Sequence, residues 1–186
     1  MAAVAPVCEF GWRGIDAILP GIDGNEHQLS AYNGPGGLVV AFICNHCPYV
    51  KGQIARMVRD AADLAAHGVG FVAVNSNDAD AWPDDSFDNM KLFAREHRIA
   101  FPYLHDADQS LARAYNAACT PDFFGFNADM ALQYRGRLDA SRHADAPADL
   151  RRDLYEAMVE VARTGDGPKE QIPSIGCSIK WKGDAA

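Results

Sequence analysis

The sequence predicts an α/β domain with a mixed sheet at its centre and helices on its faces. Three observations carry this. Strand-like and helix-like stretches alternate along the chain. The run Leu38-Val39-Val40-Ala41-Phe42-Ile43 is apolar without interruption, which suits a strand covered on both sides. The length of 186 residues, 48% of them hydrophobic, fills one core but would leave two cramped, so 1–186 is expected to be a single domain.

The elements follow in order. Residues 10–28 read as an N-terminal extension carrying a hairpin or short strands. The turn cluster Asn33-Gly34-Pro35-Gly36-Gly37 leads into the apolar strand. After it, Val50, Ile54, Met57, Val58, Ala61, Leu64 and Ala65 recur at helical spacing, and His67-Gly68 supplies a basic last turn and a cap glycine. Val69-Gly70-Phe71-Val72-Ala73-Val74 is a second buried strand, so 38–75 reads strand, helix, strand with a right-handed crossover. Residues 75–85 form a polar loop, 86–97 a helix, 101–104 a short strand and 109–115 a short helix. Phe123-Phe124-Gly125-Phe126 and Leu132-Gln133-Tyr134-Arg135 look like antiparallel strands turned at Asn127-Ala128-Asp129. Leu150, Leu154, Met158, Val159 and Val161 mark a last helix. Gly165-Asp166-Gly167-Pro168 ends it, and 165–186 becomes a C-terminal tail.

Composition removes several classes of function. The 17 Lys and Arg face 25 Asp and Glu, for a net charge of −8, so general attraction to nucleic acid or to an anionic membrane surface is not expected. The longest apolar run, 38–44, is far short of the ~20 residues of a spanning helix. The first eight residues carry no Lys or Arg and do not read as a signal peptide, which makes a reducing cytoplasm the expected setting. No Gly-rich dinucleotide fingerprint follows a strand, so no organic cofactor is expected.

The five cysteines are odd in number, which excludes a fully paired intramolecular framework. Two of them form Cys44-Asn45-His46-Cys47-Pro48, between a buried strand and an amphipathic helix. That context puts both sulfurs at the first turn of the helix, where free backbone N–H groups and the positive dipole end favour a thiolate. Pro48 suits a first helical turn because its missing N–H had no partner there. Cys44 is expected to be the more exposed, attacking thiolate and Cys47 the resolving thiol, with His46 as a neighbouring cation. Lys51, one turn on, adds positive potential or is simply solvated. A disulfide across so short a loop stabilises little, which favours a reversible redox role. The alternative is a thiolate site for Zn or Cu(I), with Cys44, Cys47 and Cys119 as ligands.

Cys119-Thr120-Pro121 precedes the strand beginning near Phe123. Together with the Cys-x-x-Cys after a core strand, it resembles the thioredoxin-like superfamily. By that resemblance Pro121 would be cis and face the Cys44–Cys47 pair, and the backbone of Thr120 would bind an extended substrate. Several strings are similar to the peroxiredoxin-like branch of the redoxin (alkyl hydroperoxide reductase/thiol-specific antioxidant) family. They are Phe42-Ile43-Cys44-Asn45-His46-Cys47-Pro48-Tyr49-Val50-Lys51, Asn75-Ser76-Asn77-Asp78, Ala118-Cys119-Thr120-Pro121-Asp122-Phe123-Phe124, Tyr134-Arg135-Gly136-Arg137-Leu138-Asp139 and Gly176-Cys177-Ser178-Ile179-Lys180-Trp181. The resemblance implies a thioredoxin-like fold with a helix–strand unit inserted over 78–110. It also implies thiol–disulfide chemistry on a protein or small-molecule substrate, with a separate protein reductant. The peroxidase signature Pro-x-x-x-Thr-x-x-Cys is absent. Counting back from Cys47 meets Cys44 and Val40, and counting back from Cys44 meets Ala41 and Gly37. A thiol peroxidase would therefore need a non-standard peroxide site.

The remaining features admit two readings each. Cys119 is a further redox thiol or a buried small hydrophobe. Cys177 is a redox thiol, or part of a tail pinned by Ile175, Ile179 and Trp181. The acidic residues of 78–85 read as a surface loop, since the Ca²⁺-loop pattern is missing. Arg135, Arg137 and Asp139 read as lining an exposed strand and turn.

Overall fold

The computed structural model describes residues 2–142, 144–147 and 149–183. Strands β1 (Ala2–Val4), β2 (Ile18–Pro20) and β3 (Glu26–Gln28) precede the central strand β4 (Gly37–Phe42). Then come α1 (Pro48–Ala65), β5 (Val69–Asn75), α2 (Phe87–Glu96), β6 (Tyr103–His105) and α3 (Ser110–Ala114). Strands β7 (Cys119–Thr120), β8 (Asp122–Phe126) and β9 (Leu132–Tyr134), helix α4 (Asp153–Thr164) and strand β10 (Ile175–Ser178) complete the chain.

The main sheet has the order β6-β5-β4-β8-β9, with β4, β5 and β6 parallel and the β4–β8 and β8–β9 pairs antiparallel. Every residue of β4 is buried, as an apolar run with no polar alternation requires. Its side chains divide by the two-residue period of a strand. Val39 and Ala41 join Ile54, Met57 and Leu64 of α1 and Leu154 and Met158 of α4 on one face. Leu38, Val40 and Phe42 join Leu111 of α3, Tyr115, Phe124 and Phe126 on the other. Full burial of such a side chain contributes about 1.5–3 kcal/mol, so the two clusters hold β4 from both sides.

The expected elements are present with shifted ends. Helix α1 begins at Pro48, and Gly68 follows its last turn at a φ of 71°, a left-handed value suited to glycine. The inserted unit over 78–110 is α2 and β6, with Ser86 capping α2 by accepting the Asn89 N–H. Leu150 lies before α4, which starts at Asp153 and ends on left-handed Gly165. The expected hairpin is β2–β3, in register Ile18 opposite Gln28.

One expectation is corrected, and of the two readings of the tail the pinned one holds: β10 is the middle strand of a second sheet, β1-β10-β7. Ile179 is buried in the second cluster and Trp181 packs against it. Arg135 and Asp139 do not line an exposed surface. Arg135 pairs with the fully buried Asp122 at 3.0 Å and stacks over Phe124, and Asp139 pairs with Arg56 at 2.6 Å. An apolar environment forces such charges into pairs, and sequence spacing does not reveal the partner.

Candidate active site

The chain leaves β4 at Phe42 and enters α1 at Pro48, so the five residues between them cross the end of the sheet. Cys47 is the N-cap of α1 and Pro48 its first residue. Cys44 therefore stands three residues before the cap, not at the helix end as the spacing suggested. Neither sulfur is exposed, since both cysteines have 0% relative accessibility. The structure thus corrects the reading of Cys44 as an exposed thiolate at the helix N-terminus.

Thr120 sits opposite both thiols. Its hydroxyl lies 3.3 Å from Cys44 Sγ, and its carbonyl accepts from Cys47 Sγ at 3.1 Å. The Thr120–Pro121 peptide bond is cis, as the resemblance implied, and Pro121 is buried. Cys119 is buried too and its Sγ donates to the Pro121 carbonyl at 3.4 Å. Burial, with Asp122 nearby, pushes the Cys119 thiol far up. It behaves as the small hydrophobe of the two readings.

The thiolate belongs on Cys47. An anion there is favoured above all by the Cys44 thiol, then by the Val50 N–H in the first turn of α1 and by Cys177. Burial opposes ionisation, but these groups prevail and Cys47 falls to about 5. Cys44 goes the other way. Its thiol is held protonated by the bond to Cys47, by burial and by the Asp85 carboxylate.

Asp85 is the residue that sequence reasoning missed. It closes the acidic loop, yet it is fully buried. Oδ1 accepts the N–H groups of Asn45 at 2.8 Å and His46 at 3.3 Å. Oδ2 accepts from His46 Nδ1 at 2.6 Å and from Asn77 Nδ2 at 2.7 Å. The Asn-His pair inside the motif now has a physical account: its two amides and one ring grip a single carboxylate. Asn45 is fixed further by Tyr103, whose hydroxyl donates to Oδ1 at 2.9 Å. His46 stacks on Trp82 with ring centroids 5.4 Å apart, and Lys180 Nζ lies 5.0 Å from the centroid of the same Trp82 ring. Lys51, by contrast, is exposed, so the cation over this site comes from the C-terminal segment. No motif spacing pointed to Asp85, because its partners lie about forty residues away in the chain.

Among the described residues, the metal-ligating atoms that converge are those of Cys44, His46 and Asp85, within 4.8 Å of one another. Cys119 is not among them. Both Asp85 oxygens already take two donors each, so the cluster is a satisfied hydrogen-bond network.

The Asp85 hydrogen bond raises His46 above 6.5. Burial works against the Asp85 carboxylate, but His46, Asn77 and the Asn45 amide outweigh it and hold Asp85 below 3.8. Their signs differ. The His46 contribution is complete below its unfolded pKa and is lost as pH rises through the raised folded value. The Asp85 contribution is complete above its unfolded pKa and is lost as pH falls through the depressed one. An Asp85→Asn variant is therefore expected to lose about 2 kcal/mol of stability, as for other hydrogen bonds to charged groups. The deficit should be widest between those two unfolded values, 3.8 and 6.5, and narrow on the alkaline side. Urea denaturation across pH measures it, and a deficit that keeps growing on the alkaline side would contradict the assignment.

A buried pair of thiols before and at a helix N-cap, in contact with the residue that precedes a cis-proline, beside a mixed sheet, defines a thioredoxin-fold protein built for sulfur chemistry. The model of the AhpC/TSA family matches residues 11–135, and the chain belongs to that family of thiol-based oxidoreductases. Among solved structures, a conserved protein of uncharacterized function from Geobacillus kaustophilus is 42% identical. Its TM-score is 0.91, covering 100% of this chain and 98% of that one. A hypothetical protein from Sinorhizobium meliloti 1021 is 37% identical with a TM-score of 0.89, covering 97% and 99%. A secreted Mycobacterium tuberculosis disulfide oxidoreductase homologous to DsbE shares the fold at 18% identity, with a TM-score of 0.58 over 78% and 95%. A comparison with functionally curated proteins finds no match.

Proposed function

We propose that the protein is a dithiol–disulfide oxidoreductase whose redox couple is Cys44 and Cys47. The observation that carries this is that both sulfurs, Cys47 at the N-cap of α1 and Cys44 three residues before it, meet Thr120, the residue before cis-Pro121. Cys47 attacks a disulfide, or another oxidised sulfur, on a protein or small-molecule substrate. Cys44 then attacks Cys47 in the mixed disulfide, the reduced substrate leaves, and Cys44–Cys47 closes. This reverses the roles expected from the sequence. Asp85, Asn45 and His46 hold the motif loop in place, and a protein reductant restores the dithiol. A reducing cytoplasm, where five cysteines persist without structural disulfides, is part of the same proposal.

The deciding experiment is equilibration in glutathione buffers with peptide mapping of the oxidised form. The expected result is one two-electron transition confined to Cys44 and Cys47. Absence of that disulfide would overturn the reading.

Peroxide is the less suited oxidant, because the Thr and Pro of the peroxidase signature are replaced by Cys44 and Val40. Hydrogen peroxide should therefore oxidise the reduced protein no faster than it oxidises a free low-pKa thiolate. Competition against such a thiol measures this, and a rate on the order of 100-fold higher, the scale of a positioned catalytic group, would restore the peroxidase reading.

A further inference from the structure

Both sulfurs of the couple are buried, and the C-terminal strand lies on the segment that contacts them. Strand β10 lies antiparallel on β7, with Cys177 opposite Thr120 and Ser178 opposite Cys119. It occupies the backbone edge of Thr120, where an extended substrate was expected to bind. The approach is close enough to demand glycine: a Cβ on Gly176 would stand 2.1 Å from the Thr120 carbonyl oxygen. The strand also brings a thiol. Cys177 is partly exposed, packs against the cluster that contains Cys44 and Cys47, and stands opposite Thr120, whose carbonyl contacts Cys47 Sγ. Cys47 thus has a thiol on either side, one rigid and buried, one on a short strand at the surface.

We propose that Cys177 is a third redox thiol that carries oxidation between the buried Cys44–Cys47 couple and reductants at the surface. The inference rests on the oxidoreductase reading above. In the oxidised protein, the Cys177 sulfur attacks Cys47 Sγ. The Cys44–Cys47 bond breaks, the Cys47–Cys177 bond forms, and the Cys177 proton passes to Cys44. A dithiol reductant then attacks Cys177 Sγ and Cys47 departs as a thiolate. The reductant's second thiol attacks its own sulfur in the mixed disulfide, which frees Cys177 and leaves the reductant as a disulfide. Two electrons enter, and two thiols are formed. The depressed pKa of Cys47 makes it the better leaving group of the exposed disulfide, so attack falls on the accessible sulfur.

Two measurements on the full chain test this. Cys44→Ser protein, oxidised with one equivalent of diamide, should yield a Cys47–Cys177 disulfide on peptide mapping. Oxidised Cys177→Ser protein should retain the Cys44–Cys47 disulfide yet be reduced by reduced thioredoxin at least tenfold more slowly than wild type. If Cys44→Ser forms no Cys47–Cys177 bond, or oxidised Cys177→Ser is reduced as fast as wild type or faster, β10 is only a cover and the relay is wrong. Those failures leave the oxidoreductase reading intact. Absence of the Cys44–Cys47 disulfide from wild type sinks both.

Discussion

Replacing Cys47 by serine should remove the acidic thiolate of this protein, whereas replacing Cys44 should leave it. The two thiols are neighbours with opposed environments. The Cys44 thiol, the Val50 N–H and Cys177 favour an anion at Cys47, which lowers it to about 5. Cys44 has the Cys47 sulfur and the Asp85 carboxylate as anionic neighbours and is raised well above 9.0. Cys47 is then the thiol of the pair that ionises first, while an unperturbed thiol is only a few per cent thiolate at neutral pH. In Cys47→Ser the ionised fraction at the site should fall on the order of 100-fold, because the remaining thiol lies in the environment that suppresses charge. In Cys44→Ser the new hydroxyl can still donate to Cys47, so the thiolate remains. The ultraviolet absorbance of the thiolate, titrated against pH, reads both results without requiring a reagent to reach a sealed sulfur. Both variants should lose disulfide turnover, since two-electron exchange needs both sulfurs. An acidic thiolate surviving in Cys47→Ser would return the attacking role to Cys44.

The fold was legible where local pattern and burial coincide. The six-residue apolar run of β4, the helical spacing after Val50 and the second run from Val69 all matched the parallel unit that builds the sheet. Cys44, Cys47 and Thr120 were legible because motif and context agreed, and the structure puts Thr120 in contact with both thiols. What sequence concealed is non-local. Strands β1 and β10 are short segments that exist by pairing with each other and with β7, and nothing within three or four residues announces such a partner. Asp85 looked solvated because it ends an acidic loop, yet that loop folds inward to satisfy the motif's backbone amides. The inversion of roles that we propose for the two cysteines has the same origin. Helix position alone favours whichever thiol is taken as first, while the deciding groups, Asp85 and Cys177, arrive from distant parts of the chain.

The largest expected loss of stability comes from Arg135, a residue that touches neither sulfur. Its guanidinium donates to Asp122 Oδ2 at 3.0 Å and to the Asn116 carbonyl at 2.7 Å, and its carbon lies 4.3 Å over the Phe124 ring. Asp122 is fully buried, and burial pushes its carboxyl up even with Arg135 beside it. Asp122 Oδ1 and Arg135 Nε have no hydrogen-bond partner among the described residues, so this pair is retained at a desolvation cost. Arg135→Ala would leave the carboxylate alone in an apolar setting. The expected loss is about 3–5 kcal/mol, the range for removing one member of a buried pair. For a domain of this size that lowers Tm by roughly 10 °C. Changing both residues to apolar ones, Asp122→Leu with Arg135→Met, should recover much of the loss, because no orphaned charge remains. Yet the double variant should not recover the site. Asp122 Oδ2 also accepts the Ala118 N–H at 3.0 Å, so it clamps the segment running through Cys119, Thr120 and Pro121. With that clamp gone, Thr120 is no longer held against the two thiols, and the titration of Cys47 should move while stability is restored. Thermal unfolding and thiolate titration on the same three proteins separate these effects. A single variant losing under about 1 kcal/mol would show that the pair is relaxed by water and not buried as the structure has it.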